Sequence, residues 1–330
     1  MPASSSESTG QSAASGLADK TPSDRGGPTA KVQHHRGVTE HNRPLWMMIP
    51  GGALMVVVIV VPILLGLFMS GLTLDQYTVR QWLSAPFIGV DNYVEAVTQS
   101  PLLKSFWISV SFAVLSTAAA VPLGVAAALA TQNRFPGRAV VRSLFLIPYV
   151  MPSFVVATVW RTMFQPNGVI VNGLHSMGIT SGLWLNGPNS YWTLVIVEIW
   201  ASWPFIYLLA LAGLQSVDHD VHEASALDGA SWWPKLRHVI FPYLKGPVAL
   251  ACVIATLNHI NNFTLPFVLF GIPAPEDVQT LPFLTYITSF QSFRFGLGAA
   301  MAFSSLILLA IPLIIYVRAV KLDVDEGADK

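Results

Sequence analysis

Two short stretches of this sequence place polar side chains where apolar ones would be expected. Glu198 lies in Val197-Glu198-Ile199-Trp200, near the middle of a long hydrophobic run. An ionised carboxylate at the centre of a bilayer costs about 2.5–3.5 kcal/mol on insertion scales, so such a residue must face a bundle interior or a wet cavity. A second run carries Asn258, His259, Asn261 and Asn262. Side chains of this kind either hydrogen-bond between helices or line a polar pathway. Both readings stand for Asn258 and His259, whereas Glu198 and Asn262 read as pathway residues. Trp200, Trp203 and Phe263 are close by in sequence. Carboxylate, amides and aromatic faces together suit a solute rich in hydroxyl groups. The candidate set is therefore Glu198, Asn258, Asn261, Asn262 and Trp203. No nucleophile–base pair or metal-ligand spacing is visible, so an enzyme in the narrow sense is not expected. His34 and His35 have no third ligand at a suitable distance and read as part of a solvated tail. The single cysteine, Cys252, lies in an apolar run and reads as a small buried hydrophobe.

The elements that must carry these residues follow from composition. The 330 residues are 53% hydrophobic and 11% charged, against about 25% charged in an ordinary soluble domain. Net charge is zero, so there is no bulk electrostatic case for binding nucleic acid. Residues 1–44 are rich in Ser, Gly, Ala, Pro and Thr and read as a disordered cytoplasmic tail. They do not read as a secretory signal, because the first apolar run begins too late and is too long. Six apolar runs follow: Leu45–Leu72, Ser105–Ala130, Val140–Phe164, Tyr191–Leu214, Gly246–Phe270 and Gly296–Arg318. Each can cross a hydrocarbon core of about 30 Å as a helix of roughly 20 residues, the only conformation that satisfies an isolated span's backbone. The expected fold class is all-α, a polytopic membrane protein with six transmembrane helices. The expected division is a first span at 45–72, an outer loop at 73–104, a core at 105–320 with a cytoplasmic loop at 215–245, and a tail at 321–330. Pro62, Pro122, Pro148, Pro152, Pro204, Pro266 and Pro312 fall within or beside these spans, and kinks rather than breaks are expected there.

Lys and Arg set the orientation. With a cytoplasmic amino terminus, fourteen of them fall on the inner side and four (Arg80, Lys104, Arg161 and Arg294) on the outer side. That bias puts both termini in the cytoplasm. Trp46, Trp107, Trp160 and Trp192 lie near span ends, where interfacial anchors are expected.

The inner loop from Gln215 to Lys245 is long for a compact bundle, and long loops are usually functional. Asp220 and Glu223 have capping-box spacing. Val221, Ala224 and Leu227 share a helical face, and Gly229 is a helix stop. Ser231 can cap a second short helix with Pro234 in its first turn and Trp232, Trp233, Leu236 and Val239 on its apolar side. Pro242 then marks re-entry into the membrane. Two short helices joined by a glycine turn can dock into a groove of another protein or lie on lipid headgroups.

The stretch Glu223-Ala224-Ser225-x3-Gly229-x9-Val239-x-Phe241-Pro242 resembles the coupling-loop signature of binding-protein-dependent ABC importer permeases. The family pattern has Ala at 225, Ile at 239 and Leu at 241, and the spacing is kept. Asp228-Gly229-Ala230-Ser231 resembles the form found in the carbohydrate branch. So do Phe87-Ile88-Gly89-Val90-Asp91-Asn92-Tyr93 in the outer loop, Leu146-Ile147-Pro148-Tyr149, and Ala212-Gly213-Leu214-Gln215. The resemblance runs from about Trp46 to Arg318. Gly271-Ile272-Pro273-Ala274-Pro275 departs from the Thr-Gly-Gly-Gly-Pro-like run common in the branch.

The resemblance implies a type I ABC importer permease fold and transport of a sugar or related polyol across the cytoplasmic membrane. It implies that Glu223, Ala224, Asp228, Gly229 and Pro242 form the ATPase-coupling loop. The chain carries no Gly-x4-Gly-Lys-Ser/Thr phosphate loop, so no cofactor is expected on it, and ATP and Mg belong to a partner ATPase. It lacks the glycine-rich segment near the carboxyl end of second-type permeases, which makes it resemble the first-type subunit. The implied partners are a second permease subunit, two ATP-binding subunits and an extracytoplasmic solute-binding protein that meets the outer loops. The alternatives are a secondary transporter, with Glu198 as a proton site, and an ABC permease for a non-sugar solute.

Overall fold

The computed structural model describes residues 43–179, 182–216 and 232–328. The chain divides into two units, 1–55 and 56–330. The described part of the first is helix α1 (Arg43–Met55). The second unit begins with a π-helical turn at Val56–Val60 and helix α2 (Val61–Ser70). It continues with α3 (Asp91–Thr98), then α4 (Leu102–Thr131), α5 (Arg138–Val150), α6 (Ser153–Met163), α7 (Val169–Ser176) and α8 (Ser190–Gln215). After the undescribed part of the inner loop come α9 (Trp232–Lys235), α10 (Phe241–Ile260), α11 (Thr264–Phe270), α12 (Leu281–Tyr286) and α13 (Phe295–Ala328). Five of these helical stretches are long and apolar enough to cross a membrane, or six with the bent pair α5 and α6 counted as one span. Among the described residues the regular structure is helical apart from one isolated β-bridge, Leu72 to Phe87.

The bundle is built on α4 and α8, with α10 packed on both. The sequence of α4 explains this. Its buried side runs Ser105, Ser109, Ala113, Ser116, Ala120, Gly124, Ala128 and Thr131, a stripe of small residues that lets neighbouring backbones approach closely. A Cβ on Gly124 would lie 2.8 Å from the Tyr207 amide nitrogen and 2.9 Å from Ile206 Cβ. Hydroxyls add interhelical bonds on the same seam: Tyr191 Oη donates to Ser111 Oγ at 2.7 Å, and Thr131 Oγ1 reaches Tyr207 Oη at 3.2 Å. At the carboxyl end of α4, Arg138 Nε and Arg142 Nη2 donate to the Thr131 carbonyl at 2.9 and 2.7 Å. They satisfy a helix end that would otherwise leave an acceptor unpaired.

The prolines act in three ways, where only kinks were expected. Pro62 and Pro242 sit in the first turn of helices directly preceded by π-helical turns, Val56–Val60 and Leu236–Ile240. A proline clashes with the carbonyl four residues earlier, and widening the preceding turn relieves that clash. The expected second short helix of the inner loop is therefore not separate. It runs through the π-helical turn into the fifth span, which covers Trp233–Ile260 and not the expected Gly246–Phe270.

The third span breaks outright. Between α5 and α6 the axis turns by 93°. Met151 has ψ 133° and Pro152 ψ 138°, because a residue before proline is pushed out of the helical region. The fifth span also stops at Ile260, and α11 starts afresh at Thr264. Pro266 cannot share a helix with an unstrained Asn262 carbonyl, four residues back. Pro122, Pro204 and Pro312 stay inside α4, α8 and α13.

Two further expectations change. Helix α13 continues to Ala328, past Arg318 and into the segment expected to be a tail, since no proline interrupts it there. Trp107 and Trp192 are exposed, as interfacial residues are. Trp160 instead packs inside the bundle, stacked on Phe164 at 5.7 Å and edge-on to Trp200 at 5.5 Å.

Candidate functional site

The two broken spans and α8 meet around one cavity of about 390 Å³. The turn between α5 and α6 supplies Pro148, Tyr149, Met151 and Ser153, and α8 supplies Glu198, Ala201, Ser202 and Phe205. The end of α10 and the break after it supply Asn258, His259, Asn261, Asn262 and Phe263. Irregular backbone at membrane depth persists where it is enclosed by protein or lines a water-filled space. Both breaks border this cavity.

Asn262 joins the two sides. Its Nδ2 donates to Glu198 Oε2 at 2.7 Å, and its Oδ1 accepts from the Leu265 amide at 3.1 Å. One side chain thus holds the carboxyl group and caps the first turn of α11. His259 is fully buried on the other flank. Its Nε2 lies 3.2 Å from Glu198 Oε1, a close contact that is not aligned as a hydrogen bond. Its Nδ1 lies 3.1 Å from Thr117 Oγ1, which also meets Thr256 Oγ1 at 3.2 Å. Asn261 turns its amide back to the Leu257 carbonyl at 2.9 Å, closing the end of α10. Asn258 is exposed on the cavity wall. Ser202 lines the same space, and its buried hydroxyl has no hydrogen-bond partner. Tyr149 and Phe205 stack at 5.9 Å between ring centres with an interplanar angle of 26°.

Four of the five candidate pathway residues therefore converge. Trp203 does not. It packs edge-on to Phe145 at 5.3 Å and against Tyr207 at 6.3 Å, within the apolar cluster between α5 and α8. Ser202, Tyr149 and Phe205 line the cavity but are not among the residues singled out from sequence. Pro148 and Pro152, four residues apart around Tyr149 and Met151, are the signal that marks this turn. Among the described residues no group of three or more His, Cys, Asp or Glu side chains can hold a metal ion. Of the coupling-loop residues, Pro242 is described, in the first turn of α10. Glu223, Ala224, Asp228 and Gly229 lie outside the described residues, as do the tail at 1–42 and its His34 and His35.

Residues 120–321 match the family model described as "Binding-protein-dependent transport system inner membrane component". That is more than half of the chain, and the chain belongs to this family. It is 28% identical over 274 residues to the trehalose/maltose transport system permease protein MalF of Thermococcus litoralis, covering 82% of this chain and 91% of that one. It is 30% identical over 273 residues to the trehalose transport system permease protein SugA of Mycobacterium tuberculosis, covering 80% and 84%. Among solved structures, a chain of a bacterial ABC transporter that imports the acidic polysaccharide alginate superposes with a TM-score of 0.71 at 19% identity, over 85% of this chain and 96% of that one. The fold is that of an ABC importer permease, and the chain is a multi-pass inner-membrane transport subunit, not an enzyme.

Proposed function

We propose that this chain is the first-type permease subunit of an ATP-driven importer for a sugar or related polyol, and that the solute passes through the cavity around Glu198. The observation that carries this is the cavity's chemistry. Glu198, Asn258, Asn261, Asn262 and Ser202 line a space of about 390 Å³ together with the stacked rings of Tyr149 and Phe205. That volume lies within the range of about 300–1,000 Å³ of small-molecule sites. Sugar hydroxyls both donate and accept, and the apolar faces of a sugar ring pack on aromatic rings. The permeases named for trehalose and maltose among the relatives support the same class. Discontinuous helices around a midplane site are also how other transporters expose backbone groups to a solute.

In this reading the inner loop 215–245 docks on the ATPase subunits through Glu223, Ala224, Asp228, Gly229 and Pro242. A second permease completes the pathway, and an extracytoplasmic binding protein delivers solute at the opposite end. Lys104 and Arg161, both assigned to the outer side by the charge count, border one open hollow with Ile272, Pro273, Ala274 and Pro275. This common end supports cytoplasmic termini and an outer position for the divergent loop.

Deleting the gene for this chain is expected to abolish uptake of radiolabelled trehalose or maltose by cells that carry the whole transporter. Uptake of both sugars at the parental rate, with uptake of an amino acid lost, would overturn the sugar assignment. Replacing Gly229 with Leu is expected to prevent the ATPase subunit from co-purifying with the permease, since a bulky side chain cannot follow the glycine turn into a groove. Wild-type recovery of the ATPase with the Gly229→Leu protein would remove Gly229 from the docking surface.

A further inference from the structure

The outer-loop run Phe87 to Tyr93 does not line the cavity, yet it makes a cluster of polar contacts with the end of the first span. Asn92, on α3, is buried, and its Nδ2 donates to the carbonyls of Ser70 and Leu72 at 2.8 and 2.9 Å. Those carbonyls belong to the outer end of the first span, where a helix leaves acceptors unpaired. Next to it, Tyr93 Oη lies 2.7 Å from Ser70 Oγ. The Ile88 amide donates to the Gly71 carbonyl at 2.8 Å, and the Thr73 amide to the Pro86 carbonyl at 2.9 Å. The Phe87 ring lies against Gly71, where a Cβ would come within 2.7 Å of it. Gly89 turns the chain at φ +62°, a conformation that suits glycine.

The last span is tied to the same point. The Gly296 amide donates to the Leu74 carbonyl at 3.0 Å. A Cβ on Gly296 would collide with the Leu72 carbonyl and lie 3.0 Å from Asn92 Nδ2. One turn of α3 beyond Asn92, Glu95 takes both guanidinium nitrogens of Arg294, at 2.5 and 2.8 Å. The Arg294 fork holds the Glu95 carboxyl below the usual carboxylate range. Bidentate pairs of this kind fix orientation as well as adding energy. The Asn92–Leu72 contact joins residues 20 positions apart and the Arg294–Glu95 pair residues 199 apart.

We propose that residues 86–95 form a clamp that fuses the outer ends of the first and last spans, so that these two spans move as one body while the breaks in the third and fifth spans carry the transport motion. Asn92 is its positioning residue and acts as a donor to two carbonyls. Removing that donor takes the side-chain partner from the buried Ser70 carbonyl and leaves the Leu72 carbonyl only the Leu74 amide, at 3.0 Å. Aspartate at 92 has nearly the shape of asparagine but sets a carboxylate against the same carbonyls, so it is expected to open the clamp at least as far as alanine.

The test uses the complete transporter in lipid nanodiscs, in a Cys252→Ser background. Spin labels are placed at Val57→Cys and Leu306→Cys, both exposed, and their separation is read by pulsed electron paramagnetic resonance. With native Asn92 the distance distribution is expected to be narrow and to keep its position when ATP and vanadate are added. Asn92→Ala and Asn92→Asp are expected to broaden it without nucleotide. A shift of the native distribution on trapping, or an Asn92→Asp distribution as narrow as the native one, overturns the clamp. A second pair, Val150→Cys with Leu306→Cys, reports on the broken third span and is expected to shift on trapping. If that pair stays still, ATP-driven motion of this chain is in question, while the nucleotide-free Asn92 comparison still decides the clamp.

Discussion

Glu198→Gln is expected to lower the initial rate of trehalose uptake by about 10- to 100-fold at an unchanged membrane level of the protein, and Glu198→Leu to abolish it. Hydrogen bonds to a charged group contribute about 1.5–3 kcal/mol, and neutral ones about 1 kcal/mol less. Glutamine keeps the size of the side chain and one oxygen that can accept from Asn262 Nδ2, so the bond now 2.7 Å long can be remade. It loses the second carboxyl oxygen, which faces His259 at 3.2 Å, and with it an acceptor for a solute hydroxyl. Leucine removes both oxygens. Asn262 then has a half-buried donor without a protein partner, at a cost of up to about 1–3 kcal/mol, and Asn262 also caps α11. Uptake by Glu198→Gln at the parental rate, with an immunoblot confirming equal protein, would mean that the carboxyl group only holds Asn262 in place. Loss of both activity and folded protein in Glu198→Leu, with Glu198→Gln intact on both counts, points to the same structural role.

The spans and the polar residues within them were legible because membrane segments make both conspicuous. A long apolar run has one backbone solution, and a carboxylate or a cluster of amides inside it stands out against that background. Sequence proximity failed for Trp203 for a geometric reason. Five residues along an α-helix turn the side chain by about 140°, so Trp203 leaves the face that Glu198 occupies. Ala201, Ser202 and Phe205 are three, four and seven residues on and return to that face, and these are the α8 residues that line the cavity. The helical period, applied from Glu198, would have found Ser202 and Phe205. Tyr149 and Ser153 were out of reach by that route, since they arrive across the 93° turn of another span.

Proline was the least legible residue. The same side chain gives a π-helical turn before Pro62 and Pro242, a break at Pro152, and an unbroken helix through Pro122, Pro204 and Pro312. What differs is which neighbours re-satisfy the freed carbonyl, and that depends on long-range packing. The outer-loop run shows the same limit. Asn92 was visible as part of a family-like motif, but its carbonyl partners and Gly296 come together only in the folded chain.

Two glycine-to-alanine changes in the bundle are expected to have opposite signs. In an exposed helix interior, alanine is favoured over glycine by about 1 kcal/mol. Gly246, in α10, has open space where a Cβ would stand, so Gly246→Ala is expected to raise the unfolding temperature of the detergent-solubilised protein slightly. Gly124 sits at the crossing of α4 and α8, and its added Cβ would come within 2.8 Å of a backbone nitrogen. A side chain can rotate away from an intruding methyl group, but the Tyr207 amide is fixed in its helix. The two helices must then separate along a seam that also carries the Thr131–Tyr207 hydroxyl contact. Overpacking costs about 1–3 kcal/mol per site even where side chains can adjust, so Gly124→Ala is expected to be destabilising despite its better helix propensity. Gly124→Leu adds three more carbons in the same direction and is expected to leave little folded protein in the membrane. Thermal unfolding followed by size-exclusion fluorescence separates these cases. An unfolding temperature for Gly124→Ala equal to or above that of Gly246→Ala would show that α4 and α8 do not depend on close contact at this crossing. The rigid frame around the Glu198 cavity would then have to rest on other seams.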